Sequence, residues 1–307
     1  MKKEIKSVSQ YLEIIRKLDK AYAKDGGLNN PVSSKFLYRG MAHQSWPLLP
    51  GIFREISQSK EEWDETTLKY LTFSTEMRIL QHFRQEAAAY ITQNRDESDI
   101  WWVELAQHYG VPTRFLDWSE NPLVALYFAC ENNSQKEDAV VWMLNRLNYN
   151  RHIKALDPAY GFIDDEGARK EAISTLIGLT PCENGACRIS PLRLPFLYSP
   201  YLFDGRMSAQ ASWFMVWGNN IRPFQQMIDY QNYMKLPEEE CPLCAGDTSD
   251  DFLYQFVIPV CAKQQIVREL DMLGINGKSL FPGLDGVGKH IERIYRFDYQ
   301  KNLGGNE

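Results

Sequence analysis

Polar side chains gather where residues 108–129 lead into an apolar segment. The stretch reads HYGVPTRFLDWSENPLVALYFA, and five hydrogen-bonding side chains precede its apolar end: Thr113, Arg114, Asp117, Trp118 and Ser119. An arginine beside aromatic residues needs an acid or a phosphate as its partner. Asp117 and Ser119 also suit turns and helix caps, where such side chains bind backbone groups. The residue types alone therefore leave a structural role and a ligand-binding role open.

Arg39 and Arg114 could hold one ligand anion between them. Arg39 lies in the apolar segment FLYRG, residues 36–40, and a glycine such as Gly40 lets a ligand approach the backbone closely. A guanidinium binds a phosphate in a bidentate way. We therefore expect the loop 108–119 to form the wall opposite Arg39, with these side chains facing the cleft: His108, Thr113, Arg114 and Asp117. Asp117 has a second interpretation, as the ion-pair partner of Arg114.

A later stretch combines arginines with aromatic residues. Residues 184–228 contain four arginines, no lysine and one acid, Asp204. Eight aromatic residues are interleaved with them: Phe196, Tyr198, Tyr201, Phe203, Trp213, Phe214, Trp217 and Phe224. The pattern indicates either half of an apolar core with arginines on its rim, or a groove in which bases stack on aromatic rings.

Four cysteines occur in two pairs, each of which could supply half of a metal site. Cys182 and Cys187 lie in CENGAC, and Cys241 and Cys244 lie in CPLC. Structural zinc takes four such ligands in a tetrahedron. A zinc site requires the fold to join the two pairs, and exposed loop thiols are the simpler interpretation.

The composition limits the class of protein. The chain has 307 residues, of which 44% are hydrophobic, so it can bury a sizeable core. Its net charge of -6 argues against non-specific nucleic-acid binding over a broad surface. It has no run of about 18 apolar residues, which predicts no membrane span, and its first residues lack the apolar region of a signal peptide. We therefore expect a soluble cytoplasmic protein.

Caps and hydrophobic periodicity predict the elements that must position these residues. Strands are expected at KFLYRG, AVVWML, ASWFMVWG and DFLYQFVIP. Helices are expected over 7–25, from Ser59, from Ser98 to Gly110, from Asn121, over 261–273 and over 283–293. The pattern predicts one mixed α+β domain, 1–307, composed of the N-terminal helix (7–25), core motifs (36–129), an irregular insertion-rich region (145–200) with one helix over 167–177, and a C-terminal half (205–293).

Several segments resemble the FRG domain family of bacterial and phage-defence proteins. The family is named after a Phe-Arg-Gly triplet, and this chain has Tyr38-Arg39-Gly40 in that place. The resembling segments are FLYRG (36–40), WPLLPGIFRE (46–55), LAQHYGVPTRFLDWSENPLVALYFA (105–129), GRMSAQASWF (205–214) and LGINGKSLFPGLDGVGKHI (273–291).

The order of these motifs is similar to that of ADP-ribosyltransferases, which implies a split β-sheet core and NAD as co-substrate. In those enzymes a first strand carries an Arg or His that holds NAD. A Ser/Thr-rich segment then leads into a helix, and a later strand presents a catalytic Glu or Gln. Arg39 matches the first motif and residues 113–129 match the second. Gln210 is the candidate for the third, because no Glu-x-Glu precedes ASWFMV.

The resemblance and the residue types together give one set of expected site residues. Cleavage of NAD passes through an oxocarbenium-like centre. Such a site needs donors for the diphosphate, an aromatic wall for nicotinamide and a polar group on a ribose hydroxyl. The expected catalytic residues are Arg39, Thr113, Asp117 and Gln210. The residues expected to bind NAD are Tyr38, Arg39, Gly40, His108, Tyr109, Arg114, Trp118 and Ser119.

The expected function is transfer of ADP-ribose from NAD to a macromolecule by a toxin or anti-phage effector, with a neutralising antitoxin protein as a further partner. The arginines and aromatics of residues 184–228 favour single-stranded nucleic acid, and RNA in particular, over protein as acceptor. Two alternatives stay open. One is a non-catalytic module that binds nucleic acid or a nucleotide, and the other is an NAD hydrolase or a nuclease.

Overall fold

A computed structural model of the chain describes residues 2–23, 35–58, 65–91, 98–131, 136–177, 194–200, 204–218, 220–227 and 252–303. Its centre is a seven-stranded sheet in the order β1-β7-β4-β2-β3-β6-β5. Among these pairings only β1–β7 is parallel. The strands are β1 (Lys2–Glu4), β2 (Phe36–Met41), β3 (Phe115–Ser119), β4 (Ala139–Asn145), β5 (Phe196–Tyr198), β6 (Ser212–Val216) and β7 (Leu253–Ile258).

Helices cover both faces of this sheet. They are α1 (Val8–Ala23), α2 (Gly51–Gln58), α3 (Glu65–Ala87), α4 (Asp99–His108), α5 (Pro122–Cys130), α6 (Arg146–Leu156), α7 (Glu166–Ile177), α8 (Gly205–Ala209), α9 (Val260–Met272), α10 (Gly277–Leu280) and α11 (Leu284–Leu303). We call the face packed by α2, α3, α4, α6 and α7 the front face, and the face packed by α1, α5, α9 and α10 the back face.

The strand sequences account for the two layers of core. Strand β4 is buried along its whole length. Its residues alternate between the faces, with Val140, Trp142 and Leu144 in the front cluster and Ala139, Val141 and Met143 in the back cluster. A strand that is buried on both faces has a continuous run of apolar residues in its sequence, and AVVWML is such a run. The predicted α+β class is therefore confirmed, with one open sheet and helices on each side.

The sheet has its fewest paired residues at its centre, between β2 and β3. Six residue pairs join β2 to β4 and five join β3 to β6, but β2 and β3 share a single pair, Tyr38 with Ser119. The β1-β7-β4-β2 half and the β3-β6-β5 half are thus joined at one register position. Beyond it the two central strands no longer pair, and Arg39 follows directly on Tyr38.

Gly40 is required by helix packing. A Cβ at this position would lie 1.8 Å from the carbonyl oxygen of Ala125 and 2.7 Å from the amide nitrogen of Ala129, both in the backbone of α5. The close approach expected at Gly40 therefore exists, but its partner is a helix and not a ligand. The glycine of the Tyr-Arg-Gly triplet belongs to the core of the fold.

Capping signals located several helices correctly. The Ser98 side chain accepts a hydrogen bond from the amide of Trp101 at the start of α4. Asn121 accepts one from Leu123 at the start of α5, and Pro122 occupies the first turn. Gly110 has the positive φ of 79° expected of a residue that ends a helix. The stop expected beyond residue 23 and the start expected at Ser59 lie outside the described residues.

Two predictions of irregular structure were wrong. Residues 115–119, assigned to a loop, form strand β3 in the middle of the sheet. Residues 146–164, assigned to an irregular insertion, form α6 and a 3-10 helix over Pro158–Asp164, whereas the helix predicted over 167–177 is confirmed as α7. No helix among the described residues has the length and apolar character needed to cross a membrane.

Candidate functional site at the centre of the sheet

Arg39 lies at the point where β2 and β3 separate. Its Nη1 donates to the backbone carbonyl oxygen of Asp117 at 2.5 Å and lies 3.7 Å from Oδ2 of the same residue. Burial lowers the pKa of Arg39 to about 10, and Asp117 partly counters this effect. Its Nε is shielded from solvent and has no hydrogen-bond acceptor among the described residues. Arg39 is thus a cation that retains one unsatisfied buried donor.

A chain of side chains extends from Arg39 to the start of β3. The amide nitrogen of Gln107 donates to both carboxylate oxygens of Asp117, at 2.9 and 3.0 Å. Thr113 Oγ1 donates to Oε1 of Gln107 at 2.6 Å and accepts from the amide of Phe115 at 3.1 Å. The structure therefore links Arg39, Asp117 and Thr113 through Gln107, and a ligand cleft shared by their side chains stays a prediction.

Gln107 was missed by sequence reasoning, although it lies in the quoted motif. It is the next-to-last residue of α4, where a polar side chain suggests only a solvated helix end. A polar residue directly before the His108-Tyr109-Gly110 helix stop is the one signal that could have pointed to it. Its amide offers a donor to Asp117 and an acceptor to Thr113, and an amide is the kind of side chain that can do both.

Arg114 does not face this site. Its Nε donates to Oε2 of Glu76 at 2.8 Å, its Nη2 donates to the same oxygen at 2.5 Å, and its Nη1 donates to the carbonyl of Trp217 at 3.1 Å. The two side chains are 4% and 1% exposed. The prediction that Arg114 binds a ligand anion is wrong, because a buried carboxylate and a carbonyl occupy its donors. Asp117 is likewise not its partner.

His108 and Tyr109 lie at the end of α4, beside the site. His108 Nε2 is 3.6 Å from Oδ1 of Asp204, and the two rings of this dipeptide meet edge to face at 5.0 Å. Burial lowers the pKa of His108, with Asp204 opposing that shift and Arg206 adding to it. Tyr109 is 68% exposed, so its ring is open to a ligand.

Three other predicted ligand-binding residues belong to the core. Tyr38 lies in the back cluster and Trp118 in the front cluster, 3% and 2% exposed. Burial raises the pKa of Tyr38. Ser119 is also buried, and its Oγ donates to the carbonyl of Gln210 at 2.6 Å and accepts from the amide of Asn121. As placed, neither ring offers an open wall to nicotinamide, and the Ser119 hydroxyl is committed to the backbone.

Gln210 connects the sheet to the back face. It follows α8, and its Nε2 donates to the carbonyl of Leu280, the last residue of α10, at 3.0 Å. Its own carbonyl accepts from Ser119, whose strand neighbours are Tyr38 on one side and Ser212 on the other. Gln210 is therefore near the central strands, but its amide and the Arg39 guanidinium contact different partners.

The aromatic residues of 184–228 are mostly core. Phe196, Tyr198, Phe214, Trp217 and Phe224 are each 3% exposed or less. Trp213 is only partly buried, with the guanidinium of Arg146 4.8 Å from its ring centroid. The interpretation as an apolar core is therefore confirmed for these residues, and a base-stacking groove built from them is excluded. Tyr201, Phe203, Arg188, Arg193 and the four paired cysteines, Cys182, Cys187, Cys241 and Cys244, lie outside the described residues.

The three segments that carry the motifs become neighbouring strands. Arg39 lies on β2, residues 115–119 form β3, and the segment that follows Gln210 forms β6, in the sheet order β2-β3-β6. Tyr38 faces Ser119, and Ser119 faces Ser212. One register position thus passes through all three motifs.

Comparison with known proteins gives a match to one family model over part of the chain. Residues 34–138 match the model of the FRG domain. No curated protein and no solved structure gave a match. The matched range includes Arg39, Gln107 and Asp117, whereas the resembling segments at 205–214 and 273–291 lie outside it, and their resemblance remains a prediction. The match covers the motifs at 36–40, 46–55 and 105–129, so the resemblance to the FRG domain that these motifs predicted is confirmed over residues 34–138.

Proposed function

We propose that this protein transfers ADP-ribose from NAD to a macromolecular acceptor. The observation that carries the proposal is the adjacency of β2, β3 and β6. Arg39 lies on β2, residues 115–119 form β3, and Gln210 comes just before β6, so the three segments that resemble motifs of ADP-ribosyltransferases are neighbours in chain order. Segments separated by about 80 to 100 residues in the chain thus meet at one register position, which brings their side chains within reach of a single ligand.

The chemistry expected at this place needs a cation and a carboxylate. Loss of nicotinamide leaves positive charge on the ribose, which a nearby carboxylate stabilises. Asp117 offers such a group, since its side chain is 57% exposed while Gln107 and Arg39 hold it in position. Arg39 supplies the cation, and its unused Nε is a donor available to NAD.

The proposed roles differ in one respect from those expected of the motif order. Asp117 takes the position beside the reacting ribose that the motif order would give to Gln210. Gln210 orients the region where β6 begins, because its amide and its carbonyl bridge α10 and β3. Thr113 acts through Gln107 as a positioning residue.

The acceptor is proposed only as a macromolecule. The preference for RNA depended on eight aromatic residues, of which the structure buries five, so that preference loses most of its basis. The proposal includes a role as a toxin or anti-phage effector that a neutralising protein inhibits. This part rests on the resemblance to a family of bacterial and phage-defence proteins.

The test is to incubate the purified protein with NAD labelled in its adenylate part and with cell lysate, and to measure free nicotinamide and acid-precipitable label. Release of nicotinamide together with label on a macromolecule supports transfer, and RNase or protease treatment then identifies the acceptor class. Nicotinamide release without transferred label would indicate an NAD hydrolase instead.

Asp117→Asn and Gln210→Ala separate the two proposed roles. Asp117→Asn should reduce nicotinamide release by about 100-fold, a size typical of a lost charge-stabilising group, while the affinity for NAD changes little. Gln210→Ala should keep more activity than Asp117→Asn. The reverse order would return the catalytic role to Gln210.

A second candidate, a module that binds a nucleotide without chemistry, is favoured by the hydrogen bonds that occupy Gln210. Saturable NAD binding without nicotinamide release, with or without lysate, would support it over the transferase.

A further inference from the structure

A row of tryptophans flanks Arg39 on the front face of the sheet. Trp142 of β4 is directly opposite Arg39 in the β2–β4 register. Trp118 lies in the same front cluster, next to the Asp117 carbonyl that accepts from the guanidinium. Trp213 is opposite Trp118 in the β3–β6 register. The adjacent strands β4, β2, β3 and β6 thus carry, in that order, Trp142, Arg39, Trp118 and Trp213 in one row across the sheet.

Three N–H groups in this row have no acceptor. Trp118 Nε1, Trp142 Nε1 and Arg39 Nε are shielded from solvent, and each lacks a hydrogen-bond partner among the described residues. A buried unsatisfied donor costs about 1–3 kcal/mol. The core can satisfy such a group, as Trp217 shows, whose Nε1 donates to the carbonyl of Arg222 at 3.2 Å. Three unsatisfied donors around one register position can therefore take an acceptor that the described residues do not supply.

The charge balance decides which acceptor fits. The guanidinium of Arg39 is already partly offset by the Asp117 carboxylate, 3.7 Å away. The two indole N–H groups are neutral donors and cannot accept. Burying a second anion beside this pair would add a desolvation cost, whereas an uncharged carbonyl oxygen offers two lone pairs to donors of this kind. Since β2 and β3 share only the pair Tyr38 and Ser119 among the described residues, such a group can enter between these two strands with the least loss of backbone pairing.

We propose that Trp118, Trp142 and Arg39 form a subsite for the carbonyl oxygen of a carboxamide, which in NAD is the nicotinamide end. The identification of nicotinamide as the source rests on the proposed function, but the subsite itself does not. Because both indoles are buried, binding of the carboxamide requires their side chains to move.

The experiment measures binding of three probes to the full chain by calorimetry: nicotinamide, nicotinic acid and ADP-ribose. Nicotinic acid replaces the carboxamide with a carboxylate, and ADP-ribose carries the diphosphate without the pyridine ring. Trp118→Phe and Trp142→Phe remove one indole N–H each. Trp217→Phe is the matched control, because it removes a buried indole N–H that has an acceptor.

The expected result has two parts. Nicotinamide binds the unaltered chain more tightly than nicotinic acid does, and Trp118→Phe and Trp142→Phe each weaken nicotinamide about fivefold, as the loss of one hydrogen bond should. ADP-ribose affinity stays within about twofold in both variants, and Trp217→Phe leaves nicotinamide binding unchanged although it lowers the melting temperature.

If either phenylalanine variant fails to fold, benzothienylalanine at the same position keeps the size of the ring and replaces only the N–H with sulfur. Nicotinamide binding that is absent, or that is unchanged in both positions, would overturn the subsite. An equal loss of ADP-ribose affinity would also overturn it, since the group held would then be a phosphate.

These outcomes are separable from those of the transferase proposal. A chain that binds nicotinamide through the two indoles but never consumes NAD keeps the subsite and loses the transferase. A chain that consumes NAD while both indole variants bind nicotinamide normally keeps the transferase and loses the subsite.

Discussion

Arg114 and Arg39 are both close to β3, one just before its first residue and the other in contact with its third, but their surroundings differ. Arg114 donates to a buried carboxylate and a carbonyl, and Glu76 comes from α3 to meet it. Arg39 has one backbone acceptor, a carboxylate at 3.7 Å and an unsatisfied Nε. A fully satisfied arginine contributes to the fold, whereas a partly satisfied one has capacity left for a ligand.

The largest effect on stability is expected when Arg114 loses its carboxylate partner, Glu76. Glu76→Gln should lower the free energy of unfolding by about 3–5 kcal/mol, because it leaves the Arg114 charge buried without a carboxylate. Urea denaturation followed by circular dichroism measures this change. Glu13→Gln, which breaks the exposed Glu13–Lys17 pair, is the control and should change little.

A double variant sharpens this result. Glu76→Leu together with Arg114→Met removes both charges and keeps apolar bulk, so it should be more stable than Glu76→Gln alone. A double variant as unstable as the single one would show that the pair itself, and not an uncompensated charge, maintains this region.

Arg39→Lys should have the opposite profile. It keeps the positive charge but loses the planar set of donors, so nicotinamide release should fall by about 100-fold while the melting temperature stays nearly constant. Fluorescence-monitored melting and a nicotinamide assay on the same preparation provide both numbers. A large fall in melting temperature with unchanged specific activity would make Arg39 a second structural arginine and remove the contrast with Arg114.

The smallest effect concerns pH and His108. Burial lowers its pKa in the folded protein below the usual value near 6.5. Between the two pKa values the unfolded chain binds more protons, so the contribution to stability is present above about pH 6.5 and is lost as the pH falls toward the folded pKa. His108→Gln should therefore lose less stability than the unaltered chain when urea denaturation is repeated at pH 5.5 instead of 7.5. An identical pH dependence in the two proteins would contradict this assignment.

Local signals predicted the parts of the fold that depend on local physics. The caps at Ser98 and Asn121, the stop at Gly110 and the apolar run of β4 were confirmed because each depends on residues a few positions apart. Strand β3 was assigned to a loop, since Asp117 and Ser119 are polar. What makes it a strand is pairing with β6, almost a hundred residues later in the chain.

The sequence predicted that Arg39 and Asp117 lie close together, but it did not predict the partners of other residues of the candidate site. The Tyr-Arg-Gly triplet and the 105–129 segment located Arg39 and Asp117, which the structure joins. The roles of Arg114 and Gly40 could not be read from the same segments, because they depend on Glu76 in α3 and on the backbone of α5. Likewise, the exposure of an aromatic ring is a property of the packed protein, which explains why Tyr109 is open and Trp118 is not.

The pairing of β1 with β7 has a consequence for the order in which the protein is assembled during synthesis. Residues 2–4 leave the ribosome long before residues 255–257, which are their partners in the sheet. The β2–β4 pair can form once residue 145 has been made, whereas β1 must wait until β7 has been made. The first strand in the sequence is thus among the last to be placed, and contacts between such distant segments make folding slow compared with chains of local contacts.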